Sequence, residues 1–484
     1  MSAANPKVLL IKSFSLVSKV SGVSPPLGVM SLAAYLREKA GADVRILDLK
    51  FLPKPLAAVR DAVQSLSPDL VGISALTAEA RVMHRVAQDV RAVAPGVLLV
   101  AGGPHPTAFP EDTLAPGHID AAVLGEGEET LLELAQRAAE DGHAARSQEC
   151  LRQIRGIAFS PHSVRTPRRP FIQDLDALPF PAWDLVNLEP YWKRGSMASI
   201  GHRPYMAIFT SRGCPFRCSY CHNLFGKQFR ARSPASVVEE ISRIGKSLGV
   251  RDIEWFDDIA NLDRKRMNGI LEGLLQRDMH PRLSFPNALR TDLLGEDTVD
   301  LLKKVGTGEI SIAVESACDR IQRLVGKHLD LEKVRTNIDR LTRRRIFTRG
   351  FFMLGFPTET EAEIRQTIDF ASSSSLHLAL FFAVNPFAGT RIRQQFLEAD
   401  RLAPDTTTID YEYFGAPFNG STVDDATFRN LYRTAYARFY ANPVRMARIA
   451  RDRPYKMDIP ARVAALFTRV VSFRRLTERA ECLE

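Results

Sequence analysis

The sequence predicts an α/β protein in three parts: an N-terminal doubly wound, Rossmann-like domain, a partial (β/α)6 barrel of TIM type, and a helical C-terminal segment. Three observations carry this. The chain has 484 residues, room for about three domains at ~150 residues each. Two separate series of short apolar runs alternate with amphipathic stretches, the pattern of parallel strands covered on both faces by helices. A proline-rich stretch, Leu178-Pro-Phe-Pro-Ala-Trp183, stands between the two series. The boundaries implied are 5–145 for the first domain, 146–203 for a linker, 204–390 for the barrel and 391–484 for the helical segment.

In the first series, strands are expected at 7–12, 44–49, 70–75, 97–101 and 121–124, with helices at 27–40, 56–66, 78–93 and 129–139. The linker has one hairpin signal around Gly156-Ile-Ala-Phe-Ser160. The second series predicts strands at 205–210, 252–256, 283–288, 309–314, 350–354 and 378–384. Five helices between them start near Ser236, Arg264, Glu296, Leu331 and Glu361.

Apolar residues make up 45% and charged residues 25% of the chain, values of an ordinary soluble protein that exclude global disorder and a multi-span membrane protein. The run Val8-Leu-Leu-Ile11 is too short for a signal peptide, so a cytoplasmic location with reduced cysteines is expected. Lysine plus arginine exceed aspartate plus glutamate by 65 − 56 = 9. The excess gathers late, at Arg445, Arg448, Arg451, Arg453, Lys456, Arg462, Arg469, Arg474, Arg475 and Arg479. Such a balance suits nucleic acid, an anionic membrane or a phosphate-rich cofactor. No nucleic-acid reading module is visible, so nucleic acid is not an expected partner.

Ligands of doubly wound sheets bind beyond the carboxyl ends of the strands. Three loops there are candidates: Ser74-Ala-Leu76-Thr77, Gly102-Gly103-Pro-His-Pro106 and Gly125-Glu126-Gly127. Neither common nucleotide-binding glycine pattern occurs in this segment. The most specific signal lies after the first barrel strand, at Cys214-Pro-Phe-Arg-Cys218-Ser-Tyr220-Cys221. A structural zinc site needs four protein ligands, and only His222 stands close by. Three thiolates suit instead a cubane iron–sulfur cluster with one iron left open for a ligand. Carboxylates at later strand ends, Asp257 with Asp258 and Glu315, would point into the barrel mouth. One of the aspartates also suits a helix N-cap, and Glu315 a salt bridge.

The cysteine loop and the six-strand series resemble the radical S-adenosylmethionine superfamily, and the preceding domain resembles the cobalamin-binding domain of the large class that carries both, over roughly residues 5–390. The resemblance implies that Cys214, Cys218 and Cys221 hold a 4Fe-4S cluster whose open iron binds S-adenosylmethionine, with Tyr220 beside the adenine. Asp257 and Asp258 would meet the methionine amino group, Glu315 the ribose and Arg290 the carboxylate, while Gly355-Phe-Pro357 and Pro386-Phe-Ala-Gly-Thr390 would close the mouth. For cobalamin it implies Ser74 and Leu76 in the tail pocket, Thr77 facing the corrin, and Gly102, Gly103, Gly125, Glu126 and Gly127 along the tail cleft. One group places a cobalt-ligating histidine after the first strand, where this chain has Lys12-Ser-Phe-Ser-Leu16. The corrinoid would therefore bind with no protein nitrogen on cobalt.

The function implied is methyl transfer from methylcobalamin to an unactivated carbon of a small-molecule, peptide or lipid-like substrate, after reductive cleavage of S-adenosylmethionine. An electron donor such as flavodoxin or ferredoxin would supply the reducing equivalent. The alternatives are a non-methylating enzyme with the same cofactors, closing or contracting a ring, and a non-catalytic corrinoid or iron–sulfur carrier. Cys150, Cys318 and Cys482 are expected as core or surface thiols, with Cys318 also near the barrel mouth. His202, His222 and His328 suggest exposed or locally bonded rings. Aromatic residues at helical spacing in 428–440 and 464–473 fit either a cap on the barrel or peripheral membrane contact.

Overall fold

The computed structural model describes residues 5–15, 23–160, 163–222, 224–404 and 418–454. These fall into two compact units, one of residues 5–15 and 25–190, the other of residues 23–24 and 191–454.

In the first unit β1 (Lys7–Lys12), β2 (Asp43–Asp48), β3 (Leu70–Ser74), β4 (Leu98–Gly102) and β5 (Ala121–Val123) run parallel in the order β2-β1-β3-β4-β5. Their apolar runs are near-continuous because helices cover both faces. Helices Leu27–Ala40 and Glu128–Asp141 bury Val29, Ala33, Leu131 and Leu134 on one side. Helices Pro55–Leu66 and Ala80–Val93 bury Val59, Val63, Met83 and Val86 on the other. The winding reverses between β1 and β3, which sets the ligand crevice beyond their carboxyl ends.

The stretch expected as a linker from 146 to 203 belongs largely to this unit. β6 (Ile157–Phe159) and β7 (Val164–Arg165) form the expected hairpin, and the hairpin pairs antiparallel with β5, so the sheet has seven strands. Ile157, Ala158 and Phe159 are all fully buried: the hairpin covers an edge that would otherwise stay open. Ala182, in the proline-rich run, packs into the same core and donates its amide to Met30 O at 3.1 Å.

The second unit contains β8 (Tyr205–Ile208), a small ribbon of β9 (Ser211–Arg212) and β10 (Arg230–Ala231), then β11 (Asp252–Trp255), β12 (Arg282–Leu289), β13 (Glu309–Glu315), β14 (Phe347–Leu354) and β15 (Leu378–Ala383). β8 and β11 to β15 form a six-stranded parallel sheet in chain order. The five expected helices lie between them. At the amino ends of the strands Arg203 binds Asp252 at 2.8 Å and Glu254 at 2.9 Å, and Arg349 lies 3.5 Å from Glu309, all buried. This ionic floor is on the face of such barrels that serves stability.

β15 ends the sheet, so its outer edge needs hydrogen-bond partners. Helix Asp425–Tyr440 supplies them with tyrosines four residues apart. Tyr432 and Tyr436 hydroxyls donate to Phe381 O at 2.7 and 2.9 Å, and Tyr436 also accepts from Phe381 N at 3.1 Å. Tyr440 donates to Ala379 O at 3.0 Å and accepts from Ala379 N at 3.2 Å. The aromatic residues of 428–440 therefore cap the barrel and are not free to meet a membrane. Arg445, expected on a basic surface, is instead buried and donates to the carbonyls of Ser374 at 2.7 Å, Ser372 at 3.0 Å and Leu376 at 3.1 Å. The expectations for Lys456, the later arginines, the 464–473 stretch and Cys482 lie outside the described residues. No described helix is long and apolar enough to cross a membrane.

Candidate active site

The cysteine loop leaves β8 between the two strands of the β9–β10 ribbon. Gly213 opens it with φ +83°, and a Cβ there would lie 2.2 Å from Gln228 O, so the turn admits only glycine. The loop is pinned along its length. Cys214 N donates to Gly226 O at 3.3 Å, Ser219 N to Val325 O at 2.8 Å, and Ser219 O accepts from Ile392 N at 2.9 Å. Burial pushes the Cys214 thiol up. Cys221 is exposed as a residue, yet desolvation of its sulfur, then the neighbouring Cys218, Asp258 and Cys214, push the thiol up to about 12.

The three sulfurs thus share one electrostatic neighbourhood, where thiolates together need a multivalent cation. They do not suit a single ion. Among the described residues the trio of His, Cys, Asp or Glu ligand atoms lying within 4.8 Å of one another is His84, His105 and Asp112, whereas sulfurs around one tetrahedral zinc at ~2.3 Å stand closer than that. A wider, three-point anchorage fits a 4Fe-4S cluster. The His84, His105 and Asp112 trio reads as hydrogen bonding: His105 Nε2 is 2.9 Å from Asp112, and its buried Nδ1 has no partner, where a metal-bound imidazole would need one for its second N–H.

The two adjacent aspartates divide. Asp257 is buried and accepts from Thr210 N and Oγ1 at 2.6 Å each and Ser211 Oγ at 2.5 Å. Its carboxylate secures the end of β8 and is not available to a ligand, against the expectation for it. Asp258 has its Oδ1 3.7 Å from Nε2 of His222, an exposed ring whose Nδ1 accepts from Leu224 N at 3.4 Å. Burial, and next the adjoining Asp257, raise the Asp258 carboxyl above its usual range. Neither aspartate is the N-cap: Asp263 caps helix Arg264–Gln276, accepting from Arg266 N at 3.0 Å.

Glu315 ends β13 with φ +66°, a costly conformation for a side-chain-bearing residue and one that turns the carboxylate out of strand register. Lys327 Nζ binds it at 3.0 Å and the Tyr220 hydroxyl stands 3.4 Å away, joining the cysteine loop to the carboxylate. Arg290 is committed elsewhere. Its guanidinium lies 3.7 Å from the Phe216 ring centroid, 3.2 Å from Asp292 Oδ1 and 2.9 Å from His328 O. It therefore braces the cysteine loop, and a ligand carboxylate would have to compete with Asp292. Cys318 is buried in the cluster that packs against Tyr220, with its Sγ 3.3 Å from Glu363. His202 is locally bonded, Nδ1 to Lys193 O at 2.6 Å.

In the first unit the loops after β3 and β4 interlock. Gly103 has φ +95°, and a Cβ there would meet Ala75 O at 3.2 Å and Ser74 Oγ at 3.3 Å. Leu76 is 49% exposed, an apolar side chain presented at the strand ends. Gly125 N donates to Thr107 Oγ1 at 3.1 Å, and Gly127 precedes helix Glu128–Asp141. Glu126 is buried and accepts from Ile172 N at 2.8 Å, so it anchors chain more than ligand. After β1, where a ligating histidine would stand, Lys12 forms an ion pair with Glu79, which also accepts from Leu76 N at 2.8 Å. Thr77 begins the short turn that carries Glu79. A glycine cradle beside an exposed leucine, with no histidine among residues 12–15, fits a bulky apolar-edged macrocycle bound without a protein nitrogen.

Lys327, Glu79 and Glu359 were not found from sequence. Glu359 accepts from Gly355 N at 2.7 Å and Phe356 N at 3.1 Å, holding the turn after β14, and burial raises its carboxyl to about 8. Its place four residues after Gly355, in Gly355-Phe-Pro-Thr-Glu359, was the available signal.

The B12 binding domain family matches residues 15–135, and the Radical SAM superfamily matches residues 208–371. An uncharacterized methyltransferase of Pyrococcus horikoshii is 31% identical over 449 residues, 90% of this chain and 93% of that protein. The anaerobic magnesium-protoporphyrin IX monomethyl ester cyclase of Rubrivivax gelatinosus is 27% identical, over 88% and 75% of the two chains. The cytidylyl-2-hydroxyethylphosphonate methyltransferase of Streptomyces wedmorensis is 26% identical, over 80% of each. Among solved structures, the methyltransferase TsrM from Kitasatospora setae with cobalamin and a 4Fe-4S cluster bound shares the fold at a TM-score of 0.68, with 21% identity over 84% of this chain and 81% of that one. The chain belongs to the cobalamin-dependent radical S-adenosylmethionine enzymes. Its cofactors are accordingly cobalamin, S-adenosylmethionine and a 4Fe-4S cluster.

Proposed function

We propose that the protein is a C-methyltransferase that acts on an unactivated carbon of a small molecule. The observation that carries this is one chain holding both a corrinoid cradle without a histidine and a pinned three-cysteine loop facing acidic groups. Bound together, the cofactors supply hydrogen abstraction from carbon and a transferable methyl group. In this reading Cys214, Cys218 and Cys221 hold the cluster. Asp258, Glu315 and Tyr220 orient S-adenosylmethionine, the carboxylates suiting its amino group and ribose hydroxyls and offsetting its positive sulfonium. Asp257, Arg290 and Lys327 act through others, by fixing the end of β8, the cysteine loop and Glu315. Ser74, Leu76, Thr77, Gly102, Gly103, Gly125 and Gly127 line the corrinoid cleft. A low-potential carrier such as flavodoxin or ferredoxin supplies the electron.

The test is anaerobic reconstitution with iron, sulfide and cobalamin, followed by incubation with trideuteromethyl S-adenosylmethionine and reductant. We expect 5′-deoxyadenosine, S-adenosylhomocysteine and a substrate heavier by the labelled methyl. The triple variant of Cys214, Cys218 and Cys221 to alanine should lose the brown chromophore and all deoxyadenosine. The cyclase of Rubrivivax gelatinosus among the relatives favours a second reading, oxidative ring closure with the same cofactors. Deoxyadenosine formed without label in the product would select it.

A further inference from the structure

β14 and β15 carry aromatic residues on both faces, and the two faces differ. On the outer face Phe352 and Phe381 stack at 5.3 Å, Phe352 meets Phe370 of helix Glu361–Ser373, and Phe381 meets Tyr436; Phe352 and Phe381 are fully buried. The inner face follows by alternation. Arg349 points inward, donating to Ser311 Oγ on β13 at 2.9 Å and reaching Pro286 O on β12 at 3.4 Å. Phe351 shares its face and meets Phe382 edge-on, with centroids 6.0 Å apart and planes at 73°. Leu380 and Ala313 are the register partners of Phe351 on the neighbouring strands and lie on the same side. Phe351, Phe382, Leu380 and Ala313 are only half-buried although they line the centre of the barrel.

Charge reaches this layer from below, where the Arg349 guanidinium stands 5.0 Å from the Phe351 ring centroid. The floor pairs Arg349 with Glu309, and the rim pairs Lys327 with Glu315. The four side chains offer no polar atom and the Arg349 guanidinium is already engaged by Glu309 and Ser311, so a charged group placed there would lose its hydration without a free partner. An edge-to-face aromatic pair, by contrast, extends naturally to a third ring.

We propose that the substrate inserts an uncharged aromatic or conjugated ring against Phe351 and Phe382, with Leu380 and Ala313 completing the wall. This deepens the methyltransferase reading by naming the substrate class of the same site. It places the ring on the last two strands, away from the cysteine loop after the first.

The test uses the reconstituted holoenzyme with S-adenosylmethionine and two fluorescent probes of equal ring size, neutral 2-naphthol and anionic 2-naphthoate. We expect 2-naphthol to bind, 2-naphthoate to bind at least about tenfold more weakly, and Phe351→Ala and Phe382→Ala each to weaken 2-naphthol about tenfold. Iron content, corrinoid content and S-adenosylmethionine affinity should not change. Should an alanine variant misfold, Phe382→Leu removes the ring while keeping apolar bulk, and Leu380→Glu places a carboxylate in the layer, which should abolish 2-naphthol binding. The proposal is overturned by no 2-naphthol binding, by equal binding of both probes, by indifference to the substitutions, or by a parallel loss of S-adenosylmethionine affinity. Binding of 2-naphthol as expected, together with deoxyadenosine formed from a turned-over substrate without label in its product, would sink the methyltransferase reading and leave this site standing.

Discussion

At the scale of residues, the adjacent pair Asp257 and Asp258 shows how strand parity divides labour. Asp252 and Glu254 both bind Arg203 in the buried floor, so even-numbered positions of β11 face inward and Asp258 follows at the mouth. Asp257 faces outward and takes three hydrogen bonds from Thr210 and Ser211. We therefore expect Asp257→Asn to cost about 3 kcal/mol of stability, since charge-assisted bonds to a buried carboxylate are lost and an amide N–H₂ faces donors. Asp258→Asn should leave stability within about 1 kcal/mol and weaken S-adenosylmethionine binding more than tenfold. Urea titration and equilibrium binding separate the two, and equal behaviour would refute the division. The parity was legible in the sequence once β11 was placed. Lys327 was not, because nothing local tells a lysine twelve residues beyond Glu315 that a helical turn will return it to that carboxylate.

At the scale of elements, the strands and helices of both sheets were legible because parallel strands buried on two faces are short apolar runs, and helices between them keep one apolar stripe. For two features the element was expected but its partner was not, for a common reason: both satisfy an edge. The β6–β7 hairpin was expected, but within a linker, because its partner, the edge of β5, lies more than thirty residues back. The aromatic stripe of helix Asp425–Tyr440 was visible, but its fit to a cap depended on a sheet left open at β15. Replacing Tyr436 by Phe leaves the ring in the core and removes only the hydroxyl, stranding the Phe381 N–H and weakening its carbonyl. A buried unsatisfied backbone group costs about 1–3 kcal/mol, so amide exchange at Phe381 should quicken by more than tenfold while Trp255 packing is retained. In the double variant Tyr436→Phe with Tyr440→Phe the β15 edge is open at two registers, and concentration-dependent oligomers are expected in sedimentation. Unchanged exchange and a monomer at all concentrations would show that the tyrosine hydroxyls are incidental.

At the scale of the whole molecule, the proposed chemistry of each unit lies at the carboxyl ends of its strands, and the barrel unit is fastened near the start of β14 by a buried histidine. His377 Nδ1 accepts from Thr348 N at 3.0 Å, its Nε2 lies 3.3 Å from Asp452 Oδ2, and its ring stacks on Phe347 at 4.6 Å. It thereby ties helix Pro443–Asp452 to the sheet. Burial lowers the histidine to about 4, against the pull of Asp452, so the folded ring stays neutral well below pH 7. In the unfolded chain the same ring titrates near ~6.5. Between those two values the unfolded state binds one more proton, so stability is full above about pH 6.5 and falls as the pH drops toward 4. The loss expected between pH 7 and pH 5 is about 2 kcal/mol, the size of a proton preference of about one and a half pH units. Hydrogen-exchange protection of Thr348 and its β14 neighbours, corrected for intrinsic rates, measures it in the unit concerned. In His377→Gln the amide can still accept from Thr348, overall protection is lower at pH 7, and the additional loss on going to pH 5 disappears. The same pH slope in both proteins would assign the acid sensitivity of this unit to its carboxylates and not to His377.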